Sequence, residues 1–199
     1  MREVELKGIV PDEAAARARV EAAGGQLAFA GRLEDRRYDD AAGSLAPLDL
    51  VLRLRTYRDP DGGVRTAHLD WKGPTKYEHG YKVREELSSP VADPDMVASI
   101  FDRLGYTVIR EIDREVSQYT LCGATVRFER YPRMDILVEV EGPPDAIEQA
   151  IERLALPRAE FSAARLPDFV ARYEARTGTR AALCARELAG DFAYEVKDA

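Results

Sequence analysis

The sequence predicts an α+β protein, an antiparallel sheet curled around a hollow with helices packed outside. Three observations predict it. Seven segments alternate apolar and polar residues with a period of two, and the loops between neighbours are short, with no βαβ alternation. The helical segments are amphipathic and need an apolar surface, which the apolar faces of those strands supply. The charged faces of the strands sort by sign, as a lined concavity requires and separate solvated faces do not.

REVELKG (2–8) is the first strand, with Glu3, Glu5 and Lys7 on one face and Val4 and Leu6 on the other. Helix chemistry follows in PDEAAARARVEAAGG (11–25), which opens on Pro and acids and stops at Gly24 and Gly25. LDLVLRLRTYR (48–58) and VRTAHLDWKG (64–73) are strands joined by the hairpin loop DPDGG (59–63), and GYKVREELS (80–88) is a fourth. DPDMVASIFDRLG (93–105) repeats the helix grammar, Asp93 capping one end and Gly105 stopping the other. TVIREIDREVSQY (107–119), GATVRFER (123–130) and DILVEVEG (135–142) complete the strands. PPDAIEQAIERLAL (143–156), LPDFVARYEARTG (166–178) and TRAALCARELAG (179–190) are helices. The 199 residues fit one domain, with 157–199 a helical extension that could cap the hollow or form a contact between two copies of the chain.

Composition excludes several function classes. Hydrophobic residues make up 45% of the chain, enough for a core, and charged residues 33%. A net charge of −7 disfavours nucleic acid and anionic membranes as partners. No apolar run reaches membrane-spanning length, and no signal-peptide core precedes the first strand. Cys122 and Cys184 form no CxxC pair, and with His68 and His79 they make no zinc pattern, so they are packing or surface residues and a reducing, cytoplasmic setting is expected.

The charged faces hold nine bases (Lys7, Arg53, Arg55, Lys72, Lys82, Arg84, Arg110, Arg114, Arg127) and six acids (Glu3, Glu5, Glu86, Glu129, Glu139, Glu141). That is a net +3 in a chain of −7, so the remainder carries −10. A positive lining inside an acidic shell suits a polyanion held within and repelled elsewhere. The acids fall as Glu-x-Glu pairs on the first and last strands, which a closed sheet can set side by side. Two like charges about 4 Å apart cost about 1 kcal/mol in water and about 4 kcal/mol at an effective dielectric near 20, so such a cluster wants a cation. All-oxygen donors suit Mg²⁺ or Mn²⁺, and forked guanidinium groups suit phosphate.

Glu-x-Glu-x-Lys at the N-terminus, LRLR, WKGP, Lys-x-Arg-x-Glu and a final Glu-x-Glu-Gly, in that order over residues 1–142, resemble the CYTH superfamily, the triphosphate tunnel metalloenzymes. The resemblance implies a closed eight-stranded antiparallel β tunnel. It implies that Glu3, Glu5, Glu139 and Glu141 ligate divalent metal, with Glu129 standing where an aspartate is usual. It also implies that Lys7, Arg53, Arg55, Lys72, Arg84 and Arg114 grip a triphosphate, joined by Lys82 and Arg110. Catalytic roles fall to Glu3, Glu5, Lys7 and Lys72, with two Mg²⁺ or Mn²⁺ ions during turnover. Ile112 and Ser117 replace a usual lysine and tyrosine, with Arg110 as compensation for them, and Met134-Asp135 replaces a usual Leu-Gly.

HLDWKGP and YKVREEL are more similar to the class IV adenylyl cyclase branch, which converts ATP to cyclic AMP and pyrophosphate. Two alternatives stand beside it: an inorganic or thiamine triphosphatase, and a non-catalytic binder of triphosphate or polyphosphate, motivated by Ile112 and Ser117. The small-molecule partner is then ATP, thiamine triphosphate or tripolyphosphate. Tyr38, Tyr57 and Trp71 are the aromatic candidates for a purine contact, each more simply explained by packing. Asp39 and Asp40 are expected in a turn, and Arg158 and Arg165 at the solvated surface.

Overall fold

The computed structural model describes residues 2–191. Among the described residues there are nine strands: β1 (Arg2–Ile9), β2 (Gln26–Asp40), β3 (Val51–Arg58), β4 (Val64–Lys72), β5 (Lys76–Glu78), β6 (Tyr81–Val91), β7 (Tyr106–Leu121), β8 (Ala124–Arg130) and β9 (Leu137–Glu141). Five α-helices accompany them among those residues: α1 (Glu13–Ala22), α2 (Pro94–Arg103), α3 (Pro144–Leu154), α4 (Leu166–Thr177) and α5 (Ala185–Ala189). Among the described residues no helix is long and apolar enough to cross a membrane.

The strands pair in the order β1-β9-β8-β7-β2-β3-β4-β6, and β6 pairs back onto β1, so eight antiparallel strands close a barrel. The short β5 lies beside β6 as an extra strand. Closure gives every strand of the barrel wall a partner on both sides over at least part of its length. It also sets Glu5 opposite Glu141 and Lys7 opposite Glu139 on β1 and β9, and Glu3 opposite Arg84 and Glu5 opposite Lys82 on β1 and β6. The first strand thus joins its charges to both neighbours.

The outer face of the wall is apolar where helices cover it. Leu6, Val126, Phe128, Val138 and Val140 pack with Ala16 and Val20 of α1 and with Ile147, Ile151 and Leu154 of α3. Full burial of each large aliphatic side chain contributes about 1.5–3 kcal/mol. α3 presents these residues at helical spacing, as its sequence predicts. Asp12 and Asp93 cap α1 and α2 by accepting the backbone N–H of Ala15 and Met96, both at 2.9 Å.

After α3 the chain returns over β1. Lys7 N–H donates to Ser162 O at 2.9 Å, and Ser162 N–H donates back to Lys7 O at 2.8 Å. This crossing seals the edge of β1 beyond its pairing with β6. Gly8 permits the approach: a Cβ there would stand 3.2 Å from the Phe161 ring and 3.3 Å from Glu160 O. α4 then covers one end of the barrel, where Phe169 and Val170 pack with Ile112, Tyr131, Leu137 and Leu183.

Two expectations need correction. The sequence reading places no strand between residues 25 and 48, yet β2 spans fifteen residues there and supplies the eighth strand of the barrel. Charge on both of its faces hides the alternation: Asp35 and Arg37 face inward, Glu34 and Arg36 outward. Asp39 and Asp40 end this strand and shape the loop after it, accepting N–H groups of Leu45, Ala46, Ala42 and Ser44. The helix expected over 179–190 shrinks to α5. Residues before it run extended, with Asp113 N–H donating to Leu183 O at 2.7 Å and Ala182 bridged to Arg133. The cause is a vacant edge, since β8 pairs with β7 only from Glu115 onward.

Candidate functional site

Alternation along eight strands points charged side chains into the barrel, where they line a cavity of about 680 Å³ counted with its open end. Its lining holds ten bases and five acids, a surplus of +5. Glu3, Glu5, Lys7, Arg53, Arg55, Lys72, Lys82, Arg84, Arg114, Glu129 and Glu139 are all there. Glu141 borders a second, wider cavity of about 1080 Å³, which shares Glu3, Arg55 and Arg127 with the first and adds Tyr57, His68, Leu87 and Ser88. Arg110 borders neither; it is buried 3.7 Å from Glu187 of α5.

Within the lining, acids and bases interlock. Lys72 Nζ donates to both oxygens of Glu3 at 2.7 Å, and Lys82 Nζ to Glu5 Oε1 at 2.7 Å. Lys7 pairs with Glu139, which also accepts from Arg127 Nη1 at 2.7 Å. Arg55 grips Asp35 through both oxygens at 2.7 and 2.9 Å, and Arg114 bridges Asp35 at 3.1 Å and Glu129 at 2.9 Å. Arg53 forks onto Asp70 Oδ2 at 3.0 and 2.7 Å. Arg84 instead donates to two backbone carbonyls, Gly73 at 2.7 Å and Asp49 at 2.6 Å.

Burial alone would raise a carboxyl pKa, and at Glu3, Glu5, Asp35 and Glu129 the cations overturn it. Lys7 and Lys82 hold Glu5 well below the carboxylate range; Arg55, Arg53 and Arg114 do the same to Asp35. Against its own burial, Glu129 is held at about 2 by Arg114 and Lys7. Glu141 goes the other way: burial, with Glu3 and Glu5 nearby, outweighs Arg127 and pushes it up. Burial lowers Lys7, and burial with Arg53 lowers Lys72.

The linkage sign follows from these directions. A carboxyl depressed in the folded state stabilises above its unfolded value, 4.5 for Glu129, and that contribution is lost as pH falls through about 2. The unfolding temperature should therefore hold from pH 7 to about 5 and drop steadily below. Glu129→Gln should flatten this drop. Thermal unfolding followed across pH checks both, and an acid limb unchanged in the variant contradicts the assignment.

A divalent cation suits the donor chemistry, since Glu3, Glu5, Glu139 and Glu141 offer only carboxylate oxygens and Glu5 opposes Glu141 directly. Burial first, and then Glu3 and Glu5, push the Glu141 carboxyl up, and a cation would relieve the like-charge part of that shift. As they stand, however, no three acidic, histidine or cysteine side chains among the described residues converge to hold one ion. Lysine ammonium groups take that positive role at Glu3, Glu5 and Glu139.

A CYTH domain model matches residues 1–159.

The chain belongs to the CYTH family.

No curated protein matches it. Its fold is similar to that of a "putative adenylate cyclase" from Vibrio parahaemolyticus, with a TM-score of 0.70, 19% identity, and coverage of 85% of this chain and 97% of that one. A conserved hypothetical protein from Pyrococcus furiosus aligns with a TM-score of 0.67 and 18% identity over 84% of this chain and 99% of its own. HpAC1 from Hippeastrum, described as a "putative adenylyl cyclase" with a dominant triphosphatase activity, aligns with a TM-score of 0.62 and 16% identity over 89% and 96%. In this CYTH protein α4 and α5 follow the matched region, and Arg165 and Leu166, where α4 begins, border the first cavity. Arg165 pairs with Asp49 at 3.0 Å rather than standing free in solvent.

Sequence reasoning missed two charged residues of the first cavity's lining, Asp35 and Arg37, both on β2, and the uncharged Val51, Tyr131 and Leu166. Leu33, Asp35 and Arg37 at alternate positions were the available signal. The departures from the family pattern also gain a place. Ile112 borders the cavity and packs with the group under α4, while Ser117 lies opposite Phe128 and lines neither cavity. Tyr57 borders the second cavity, whereas Tyr38 packs on Phe101 at 4.8 Å.

Proposed function

We propose that this CYTH protein is a divalent-metal-dependent enzyme acting on a triphosphate held in the tunnel, most like a class IV adenylyl cyclase. The lining supports it: a surplus of five positive charges inside an acidic protein, with carboxylates gathered toward the second cavity. Tyr57, His68 and Leu87 beside that cavity give a purine an aromatic and apolar border.

In the cyclase reading the ribose 3′-oxygen attacks the α-phosphorus of ATP. The bond from that phosphorus to the α–β bridging oxygen breaks, pyrophosphate leaves with the electron pair, and the hydroxyl proton passes to solvent. A divalent ion bound by Glu3, Glu5, Glu139 and Glu141 would neutralise phosphate charge and lower the pKa of the attacking hydroxyl. Lys7, Lys72 and Lys82, paired with carboxylates in the free tunnel, would turn to phosphoryl oxygens, joining Arg53, Arg55 and Arg114. Catalysis is then mainly positioning and electrostatics.

Hydrolysis of the terminal phosphate is the second reading. The open end of the first cavity favours it by giving water a path, and HpAC1 is described as a triphosphatase. Incubation with ATP, thiamine triphosphate or tripolyphosphate and Mg²⁺ or Mn²⁺ separates the readings. Cyclic AMP with pyrophosphate supports the cyclase, and free phosphate the hydrolase. No product with a large thermal shift leaves a non-catalytic binder; no product and no shift removes the triphosphate altogether.

A further inference from the structure

Arg37 stands between two other arginines in the barrel wall, opposite Arg53 on β3 and opposite Arg110 on β7. Directly opposed like charges destabilise a sheet, so this row needs compensation. Arg53 has it in Asp70, and Arg110 lies beside Glu187. Arg37 borders the cavity, its Nε has no hydrogen-bond partner, and it forms no ion pair with a carboxylate among the described residues. Burial and Arg53, with Arg110 and Arg84 behind, outweigh the opposing charge of Asp35 and push its guanidinium down to about 9. Arg84, pinned by two backbone carbonyls, adds positive charge at the same end of the tunnel.

We propose that Arg37, with Arg53 and Arg84, forms a subsite for a terminal phosphoryl group, selecting ligands whose phosphate chain ends free. It rests on the reading that a triphosphate occupies the tunnel. A terminal phosphoryl offers three peripheral oxygens and close to two negative charges; an internal one offers two oxygens and one charge. The fork of Arg37, with the positive charge of Arg53 and Arg84 on two other strands, matches the former. The chain end then lies toward α4, and the organic part of a nucleotide toward Tyr57 and the second cavity.

The test compares tripolyphosphate with its analogue methylated on both terminal phosphoryl groups, by calorimetric titration in Mg²⁺. Wild type should bind the free-ended chain about tenfold or more tightly than the capped one, as loss of a charge-assisted hydrogen bond implies. Arg37→Gln should shrink that gap to about threefold or less, and Arg37→Lys should keep part of it, charge without the fork. Arg37→Gln removes a like charge from the row, so it should fold; if it does not, the Arg37→Lys comparison decides. Equal binding of both ligands by wild type overturns the subsite, as does an undiminished gap in the Arg37 variants. Failure of wild type to bind either ligand removes the triphosphate reading itself.

Discussion

Asp35→Asn should cost about 3–5 kcal/mol of stability, the penalty for removing one partner of a buried ion network. The carboxylate is 2% exposed and holds Arg55 by two bonds, Arg114 at 3.1 Å and Arg53 at 3.5 Å. Asparagine keeps the shape but strands Arg55 and removes the charge that separates it from Arg53 and Arg114, which keep Asp70 and Glu129. For a chain of this size the unfolding temperature should fall by about 6–20 °C. Pairing the change with Arg55→Gln should recover part of the loss, because one stranded charge goes too. A shift under about 1 kcal/mol would mean that the arginines find water or other partners.

Glu141→Gln should have the opposite profile: activity lost, stability kept. Its carboxyl is pushed up by burial and by Glu3 and Glu5, so its charge burdens the folded state above the ordinary carboxylate range. Its nearest cation, Arg127, is 4.0 Å away. Neutralising it should leave the unfolding free energy within about 0.5 kcal/mol of wild type, or slightly higher. Metal-dependent turnover should fall by about 100-fold or more, as when one charge-stabilising group leaves a phosphoryl site. Wild-type turnover in Glu141→Gln would remove this residue from the site. Glu139→Gln is the less informative variant, because it also strands Lys7 and Arg127.

The period-two strands made much of the barrel legible. Glu3, Glu5 and Lys7 alternate with Val4 and Leu6, so the inward face can be assigned from residue type alone, and β9 repeats the pattern with Glu139 and Glu141. β2 was illegible because its outward positions, Glu34 and Arg36, are charged as well. Contrast between faces, the signal that alternation offers, is missing there. The salt bridges were hidden for another reason. Sequence identifies inward charges but not their partners, and Asp35 meets Arg114 across 79 positions of chain. The shortened last helix shows tertiary structure overriding propensity: TRAALC is an acceptable helix former, but a bond from Asp113 of β7 and a two-bond bridge to Arg133 hold its backbone instead.

Barrel closure has a kinetic consequence. Lys7 meets Glu139 across 132 positions and Ser162 later still, so the side of β1 that faces β9 waits for most of the sheet before it can pair, although β6 on its other side comes earlier in the chain. Contacts of such separation incur their chain entropy before any packing rewards it, which places this topology among slow folders. Until β1 docks beside β6, Glu3 and Glu5 lack Lys72 and Lys82, the cations that neutralise them in the closed wall.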